Sequence, residues 1–445
     1  MQGASPQPTQ AALVQLINDN LKTARHVALV SVPIGLTAGA AISAYDYLVN
    51  VVLWDRFSGS LSPLALCFLP LIGMVLTGLI LQIFRVESSA MADEVVSAYH
   101  NPQVGLRYRQ VWPKLAASIA TMGFGCSAGM EGASKWLGAS VSAWLQTRFN
   151  RISWLKAMHG PVEITMLAGA AAGISAIFRA PLTGAIMGIE SPYKKDLAHD
   201  ALIHALVASA LSFATFSILR NDRPYFPINF HYVLVVRDLF YCIPLGILAG
   251  VSSLLFLGCL RAMKRLSAEL PLPRLGVYVC GGLLLTVVAL SMYFLIGEPA
   301  TLQAGLPLAN RLLSGHYDSQ TAVLIFVAKL LATAITFGWG GVGGLFVPSA
   351  TIGAALGAVC DIYFLPSQPG LFTLVGIAAF TGASYNSLLF AAVFIAEASG
   401  SPALVVPGLI ASCTAYLISA GVSNSPSQRQ ARTDAINIPL ERLQG

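Results

Sequence analysis

Hydrophobic residues follow one another along this chain in runs of about twenty positions, separated by short polar stretches. A helix that crosses a bilayer needs about twenty consecutive apolar residues, so these runs predict a bundle of membrane-spanning helices. Several runs exceed one straight span and contain glycine and proline, which predicts broken or paired helices. The runs are 27–53, 62–84, 112–146, 162–190, 201–220, 233–261, 275–296, 321–337, 342–363, 371–397 and 402–422.

Two blocks of sequence recur in the same order, which indicates an internal duplication; glycine-rich composition alone is the other explanation. One block recurs after 207 positions, and the block around Glu131 recurs after 215, which places Phe346 opposite Glu131. The matched positions are Gly169/Gly376, Phe178/Tyr385, Leu182/Leu389, Ala185/Ala392, Glu190/Glu397, Gly129/Gly344, Ser134/Ser349, Gly138/Gly353 and Ala139/Ala354. The predicted units are an N-terminal segment with a short surface helix (1–25), a first repeat (26–220), a linker (221–234), a second repeat (235–425) and a short C-terminal helix or tail (426–445).

Composition agrees with a membrane protein, since 56% of residues are hydrophobic and 10% are charged, against about 25% charged in soluble domains. The net charge of +6 is spread over loops and tails, with no basic block that would indicate nucleic-acid binding. Lys22 and Arg25 precede the first run, which favours a cytoplasmic N-terminus, and residues 1–10 do not resemble a signal peptide. Cysteine and histidine spacings match no metal motif, so we expect no metal site.

Glu131 is the acid whose position is hardest to explain, because apolar sequence extends on both sides of it. An ionisable residue inside a membrane segment is a functional-site candidate by default. The surrounding GMEG stretch leaves the backbone amides open to a ligand, and a helix that begins there would attract an anion. We therefore predict that the carboxylate and an anion compete for one set of amides. A structural ion pair with Lys135, one turn along the helix, is the alternative.

Four motifs together resemble those of the CLC family of chloride channels and proton-coupled chloride exchangers. They are SSAMA (Ser88–Ala92), GMEGA (Gly129–Ala133), GAAAGISAIFRAPLTGAIMGIE (Gly169–Glu190) and GGLFVP (Gly343–Pro348). The resemblance implies an all-α integral membrane protein of the bacterial inner membrane, with the CLC-type fold of two inverted-topology repeats. It also implies a homodimer with one pore per subunit, both termini in the cytoplasm, no cofactor, and chloride or another small anion as substrate.

The resemblance also assigns roles to individual residues. Glu131 corresponds to the external gating glutamate, which occupies the outer anion site when charged and leaves it when protonated. The backbone amides of Gly132, Leu345 and Phe346 would contact chloride, and the Ser89 hydroxyl would contribute to the central site. SSAMA also reads as a helix N-terminus, so Ser89 could equally cap a helix, and its neighbour Ser88 stays a candidate. Gly129 lies beside the gate within GMEGA.

The chain departs from the family pattern at four places. Met130 replaces the basic residue beside the gate, and Ala133 replaces proline. The family's central tyrosine would fall at Gln428, which we do not expect to act as a ligand. Ser191 occupies the place of the internal proton glutamate, whereas Glu190 matches the acid before it. We interpret Glu190, like its counterpart in the second block, as a structural acid at a helix end.

These observations favour anion transport through a pore gated by Glu131. Ser191 cannot titrate, so we favour a channel-like or weakly proton-coupled mechanism over the alternative, a strict H+/Cl− or H+/F− antiporter. A third hypothesis is an intramembrane enzyme that uses Glu131 with Ser127 or Ser134. That hypothesis lacks the positioned base that a serine nucleophile requires, and we therefore expect no enzymatic activity.

Overall fold

The structure is a computed structural model that describes residues 10–103, 105–106, 108–152, 161–220, 224–228, 232–419 and 421–432. Regular structure within these residues is helical. The α-helices are α1 Gln10–Asp46, α2 Pro63–Leu66, α3 Leu69–Ile83, α4 Ala92–His100, α5 Val111–Gly123, α6 Glu131–Phe149, α7 Val162–Phe178, α8 Pro181–Glu190, α9 Leu202–Arg220, α10 Val236–Glu269, α11 Arg274–Ile296, α12 Leu306–Leu313, α13 Ser319–Gly338, α14 Phe346–Phe364, α15 Leu371–Tyr385, α16 Leu388–Ser399 and α17 Val405–Ser419.

Eight helical segments in the described part of the chain are long and apolar enough to cross a membrane. They are Ala24–Ser60, Pro63–Ile83, His199–Arg220, Val236–Glu269, Arg274–Ile296, Ser319–Gly338, Phe346–Phe364 and Pro402–Ser419. Helices α7, α15 and α16 are apolar but shorter than a full span. The prediction of a multi-pass helical membrane protein is therefore confirmed.

Two of the long apolar runs are broken at the same position of the proposed repeat. Run 162–190 divides into α7 and α8 after Arg179, and run 371–397 divides into α15 and α16 after Asn386. Both residues have left-handed backbone conformations, with φ of 55° and 53°. A left-handed residue ends an α-helix, so each run becomes a pair of helices, as the run lengths predict.

Equivalent residues of the two blocks contact one another or make the same contacts. Gly129 and Gly344 exchange both backbone hydrogen bonds, at 2.7 and 2.6 Å, and form an isolated antiparallel bridge. A methyl group at Gly138 would meet the carbonyl oxygen of Gly169, and one at Gly353 would meet that of Gly376. Reciprocal contacts of this kind are what a twofold relation between two halves produces.

Glu190 and Glu397, also equivalent positions, each accept backbone amides at the start of a helix in the opposite half. The donors are Leu389 and Phe390 of α16 for Glu190, and Leu182 and Thr183 of α8 for Glu397, at 2.7–3.3 Å. Free amides at a helix start favour a negative group. Both acids therefore act as reciprocal caps that hold the halves together, which agrees with their interpretation as structural acids.

We expect Glu397→Ala to destabilise the fold, because it leaves the first amides of α8 without their acceptor in a partly buried region. Loss of hydrogen bonds to a charged group costs about 1–3 kcal/mol. Thermal unfolding of the purified protein in detergent should show a lower midpoint for Glu397→Ala than for Glu397→Gln, which keeps one acceptor oxygen. Equal midpoints for alanine and wild type would contradict the capping role.

Four predicted elements differ from the structure or lie partly outside it. The predicted surface helix at 11–25 is part of the continuous helix α1, since no glycine or proline precedes Pro33 within that helix. The predicted helix start at the serines of SSAMA is wrong, because α4 begins at Ala92 after Met91. In the predicted linker, residues 221–223 and 229–231 lie outside the described residues, as do residues 433–445 of the predicted C-terminal helix or tail.

Candidate anion site

Glu131 is the first residue of α6 and is buried, with 3% of its surface exposed. Its Oε1 atom accepts hydrogen bonds from the backbone amides of Phe346, at 2.5 Å, and Val347, at 3.3 Å. These amides belong to the first turn of α14, which begins at Phe346. A carboxylate therefore occupies the positive end of a helix, where a free anion would also bind.

The second oxygen of this carboxylate, Oε2, has no hydrogen-bond partner among the described residues. An ionised carboxylate oxygen without a partner is costly to bury. Space for the carboxylate exists because its neighbours are glycines: a methyl group built on Gly129 or Gly344 would collide with it. The bridge between the two glycines thus places the α6 and α14 termini together and leaves a pocket that fits one small anionic group.

One cavity adjoins this carboxylate, and a second adjoins Val347, one of its two amide donors. The first, which we call the Gln428 cavity, measures about 200 Å³ and is lined by Glu131 itself. The other, which we call the Arg179 cavity, measures about 210 Å³ and is lined by Met130 and Val347, the neighbours of Glu131 and of its amide donor. The contact between Glu131 and α14 therefore lies at the boundary between two cavities, where a gate would stand.

The predicted site residues are distributed over these cavities and the bridge. Ser89, Gly132, Ser191, Leu345 and Gln428 line the Gln428 cavity together with Glu131. Phe346 contributes its amide to the carboxylate, Gly129 forms the bridge, and Met130 lines the Arg179 cavity. The structure thus brings all of them to one region, although residues more than 200 positions apart contribute.

Ser89 and Ser88 differ in their local contacts. The Ser88 hydroxyl accepts a hydrogen bond from the amide of Ala90 at 3.2 Å, and Ser88 lines a different cavity. Ser89 lines the Gln428 cavity, and no hydrogen bond joins its hydroxyl to the described residues. Of the two candidates, Ser89 is therefore the one that lies at the Gln428 cavity.

Gln428 is positioned by the C-terminal segment, which runs beside the residues after α8. Lys194 and Lys195 donate backbone hydrogen bonds to Arg429 and Gln430, at 2.8 and 3.0 Å. The Gln428 amide nitrogen donates to the Ser191 carbonyl at 3.1 Å. This bond joins the two residues that the resemblance places at the positions of the central tyrosine and the internal acid.

The remaining polar atom of Gln428 is also occupied. The Ser423 hydroxyl donates to the Gln428 side-chain oxygen at 2.7 Å. Further along the segment, the Arg432 amide donates to Asp196 at 3.0 Å, and this bond lowers the pKa of Asp196. Gln428 therefore lines the cavity with an amide group that is already bound to protein, in keeping with the expectation that it is not a ligand.

Tyr385 is a cavity residue that the motifs did not indicate. It lines the Gln428 cavity, and its ring lies 5.7 Å from the Phe346 ring. Its only sequence signal is its match to Phe178 in the proposed repeat, which gives no reason to expect a polar role.

The Arg179 cavity contains polar groups that are largely paired with one another. The Asp46 carboxylate forms an ion pair with the Arg220 guanidinium at 2.7 Å. It also accepts a hydrogen bond from the side-chain amide of Asn50 at 2.8 Å. The same Asn50 amide reaches the sulfur of Met130 at 3.4 Å. Arg179 lines this cavity and lies 5.8 Å above the Phe216 ring. A cation therefore faces this cavity, although Met130 stands where the resemblance expects a basic residue.

Two alternatives for Glu131 find no support in the contacts. No ion pair joins Glu131 to Lys135, so the structural pairing is wrong. For the enzyme hypothesis, the Ser127 hydroxyl is engaged with Thr333 at 2.9 Å, and the Ser134 hydroxyl has no hydrogen-bond partner in the described part of the chain. Neither serine therefore has the base that a nucleophile requires. Among the described residues, no group of three or more His, Cys, Asp or Glu side chains could hold a metal ion.

Comparison with known proteins identifies the fold and the family. The chain is 24% identical to the H(+)/Cl(−) exchange transporter ClcA of Vibrio cholerae over 437 residues, covering 92% of this chain and 89% of that protein. A crystal structure of a slow cyanobacterial Cl−/H+ antiporter superposes with a TM-score of 0.77 at 21% identity, covering 88% of this chain and 94% of the other.

A CLC-type fluoride/proton antiporter also superposes with a TM-score of 0.77, at 23% identity, over 95% of this chain and all of the other. These structures share the fold described above. The family description of the voltage gated chloride channel, CLC, matches residues 24–420. The chain therefore belongs to the CLC family of voltage gated chloride channels and related anion transporters.

Proposed function

We propose that this protein carries chloride or a similar small anion across the bacterial inner membrane, through a pathway that joins the Gln428 and Arg179 cavities. The observation that carries this proposal is the Glu131 carboxylate on the amides of Phe346 and Val347 at the boundary of the two cavities. Membership of the CLC family supports anion transport in general. The transport itself requires no cofactor, since amides and hydroxyls supply the binding groups.

In the proposed mechanism, Glu131 and the transported anion alternate at the same amides. The ionised carboxylate mimics the anion and closes the pathway. Protonation removes its charge, which weakens its hydrogen bonds to the amides and leaves the helix N-terminus to a free anion. The amides of Gly132 and Leu345 and the hydroxyl of Ser89, all at the Gln428 cavity, would then bind the anion on its way through.

The coupling to protons has two candidate forms, each with its own support. Ser191, beside Gln428, cannot titrate at the place where the resemblance expects the internal proton glutamate, which favours channel-like or weakly coupled transport. Strict exchange is supported by the relative named an H(+)/Cl(−) exchange transporter and by the neighbours described as Cl−/H+ and fluoride/proton antiporters. The second form is at least as well supported as the first.

The test is flux from proteoliposomes with chloride and pH recorded together. A chloride gradient that drives protons uphill establishes an exchanger, whereas chloride movement that leaves the pH unchanged establishes the channel-like form. Adding fluoride in competition decides which halide the pathway prefers. Absence of any anion flux from wild-type protein would overturn the proposed function.

The proposed assembly is a homodimer with one pathway per subunit and with both termini in the cytoplasm. Because Gln428 lies close to the C-terminal end of the chain, this orientation makes the Gln428 cavity the cytoplasmic entrance. The chain then divides into the repeats 26–220 and 235–425, and the reciprocal Gly129–Gly344 bridge marks their interface.

A further inference from the structure

Three lysines of the described chain are buried almost completely: Lys114, Lys135 and Lys329. Two of them have protein acceptors. Lys114 donates to the Ala90 carbonyl at 2.9 Å and pairs with Glu94 at 2.5 Å. Lys329 donates to two backbone carbonyls, at 3.1 and 2.5 Å. This is the usual arrangement, since a buried charge needs partners.

Lys135 differs from both. It is 3% exposed and lines the Gln428 cavity, where the Asp93 carboxylate acts on its charge without contact, and no hydrogen bond or ion pair joins it to the described residues. It lies on α6, one turn after Glu131. An ammonium group buried at a cavity wall with no hydrogen-bonded protein acceptor favours a partner that enters the cavity.

The charges around the cavity identify the kind of partner. Four charged side chains line it: the acids Asp93 and Glu131 and the lysines Lys135 and Lys264. Asp93 is already satisfied by the C-terminal segment, since it accepts the Ser425 hydroxyl and, at 3.1 and 2.6 Å, the amide and hydroxyl of Ser427. Lys264 is exposed at the surface, where solvent screens its charge.

With all four groups ionised, the cavity is neutral. Protonation of Glu131 leaves it with one net positive charge, and the only buried cation among its charged groups is Lys135. Water could solvate the ammonium group but would not neutralise it. A monovalent anion would accept its hydrogen bonds and also neutralise its charge, at the moment when Glu131 releases the α14 amides.

We propose that Lys135 is an anion-binding residue of the Gln428 cavity, which holds a halide or another monovalent anion next to the gate. This inference rests on the proposed function. In that function, Lys135 supplies a positive charge at the Gln428 cavity. Met130, at the Arg179 cavity, has no charge to supply. Tyr385, the other titratable residue at this cavity, donates or accepts as a neutral hydroxyl.

The experiment measures chloride binding by titration calorimetry on full-length purified protein in a Glu131→Gln background, which removes competition from the carboxylate. Lys135→Met should weaken chloride binding about 10- to 100-fold, the effect of losing a hydrogen bond from a charged group. Lys135→Arg should retain most of the affinity. Lys264→Met, the matched loss of an exposed cation at the same cavity, should change it less than about fivefold.

Unchanged chloride affinity in Lys135→Met would overturn the inference while leaving the gate intact. Chloride affinity retained in both Lys135→Met and Lys135→Arg, with coupled proton movement lost from both in the wild-type Glu131 background, would also overturn it and make Lys135 a proton carrier. If the methionine variant does not fold, Lys135→Gln removes the same charge with a polar side chain. A wild-type protein that passes no anion would instead defeat the proposed function itself.

Discussion

Replacing Glu131 with glutamine is expected to remove the pH dependence of anion flux and to abolish any coupled proton movement, while anions continue to pass. In the wild-type protein, flux should rise as the pH falls, because protonation releases the carboxylate from the Phe346 and Val347 amides. Where the carboxyl group is mostly ionised, each unit of rising pH lowers its protonated fraction about tenfold. Glutamine is neutral at every pH, so its flux should exceed wild-type flux most at alkaline pH.

Proteoliposome flux with simultaneous pH recording, over a series of external pH values, measures both effects. Glu397→Gln is the matched control, since Glu397 is also a membrane-region acid that accepts backbone amides at a helix start. It lies at the contact with α8 rather than between the cavities, so its replacement should leave the pH profile unchanged. A wild-type pH profile in Glu131→Gln would refute the gate assignment.

The recurrence in the sequence anticipated the central geometry of the molecule. A shift of 215 positions pairs Gly129 with Gly344 and Glu131 with Phe346, and these are the residues that meet by hydrogen bonds. A twofold relation makes equivalent positions near its axis contact each other, so a repeat in the sequence can carry information about distant contacts. The division of two long apolar runs into helix pairs, at Arg179 and at Asn386, was likewise predicted from the sequence, by the length of the runs.

Other parts of the site had no comparable signal. Tyr385 and Lys135 line the Gln428 cavity, but neither belongs to a recognisable motif. The position of Lys135 suggests an ion pair with Glu131 that the structure does not contain. The helical spacing of the two residues permits that pair but does not establish it, because the Glu131 carboxylate instead accepts the amides of α14.

The position of Gln428 could not be read from the chain either. It depends on the backbone pairing of residues 429–430 with 192–195 and on the bonds of Asp93 to Ser425 and Ser427. These contacts join three distant segments whose motifs have drifted from the family pattern. Sequence reasoning finds a ligand by its motif, and where the motif has changed, packing alone identifies the residues that replaced it.

Introducing alanine at Gly129 is expected to open the pathway without removing the acid. The nearest atoms to a methyl group at this position are all in the Glu131 carboxyl group, at the end of a flexible side chain that can rotate away. Gly129 does not have a left-handed backbone conformation, so alanine fits once the carboxylate has moved. Gly129→Ala should therefore raise anion flux at alkaline pH toward the level of Glu131→Gln, about tenfold or more above wild type.

Two comparisons show whether the methyl group acts through the carboxylate. In a Glu131→Ala background nothing remains to be displaced, so adding Gly129→Ala should leave flux unchanged; non-additivity of this kind is expected for residues in contact. Gly132→Ala is the control, because its methyl group would meet backbone atoms of Gly343 and Gly344 at 2.7 and 2.9 Å. Backbone cannot rotate aside, so this variant should lose thermal stability rather than gain flux. Flux that rises equally in both glycine variants would indicate general loosening of the bridge, and Glu131 would then not be held in place by the space at Gly129.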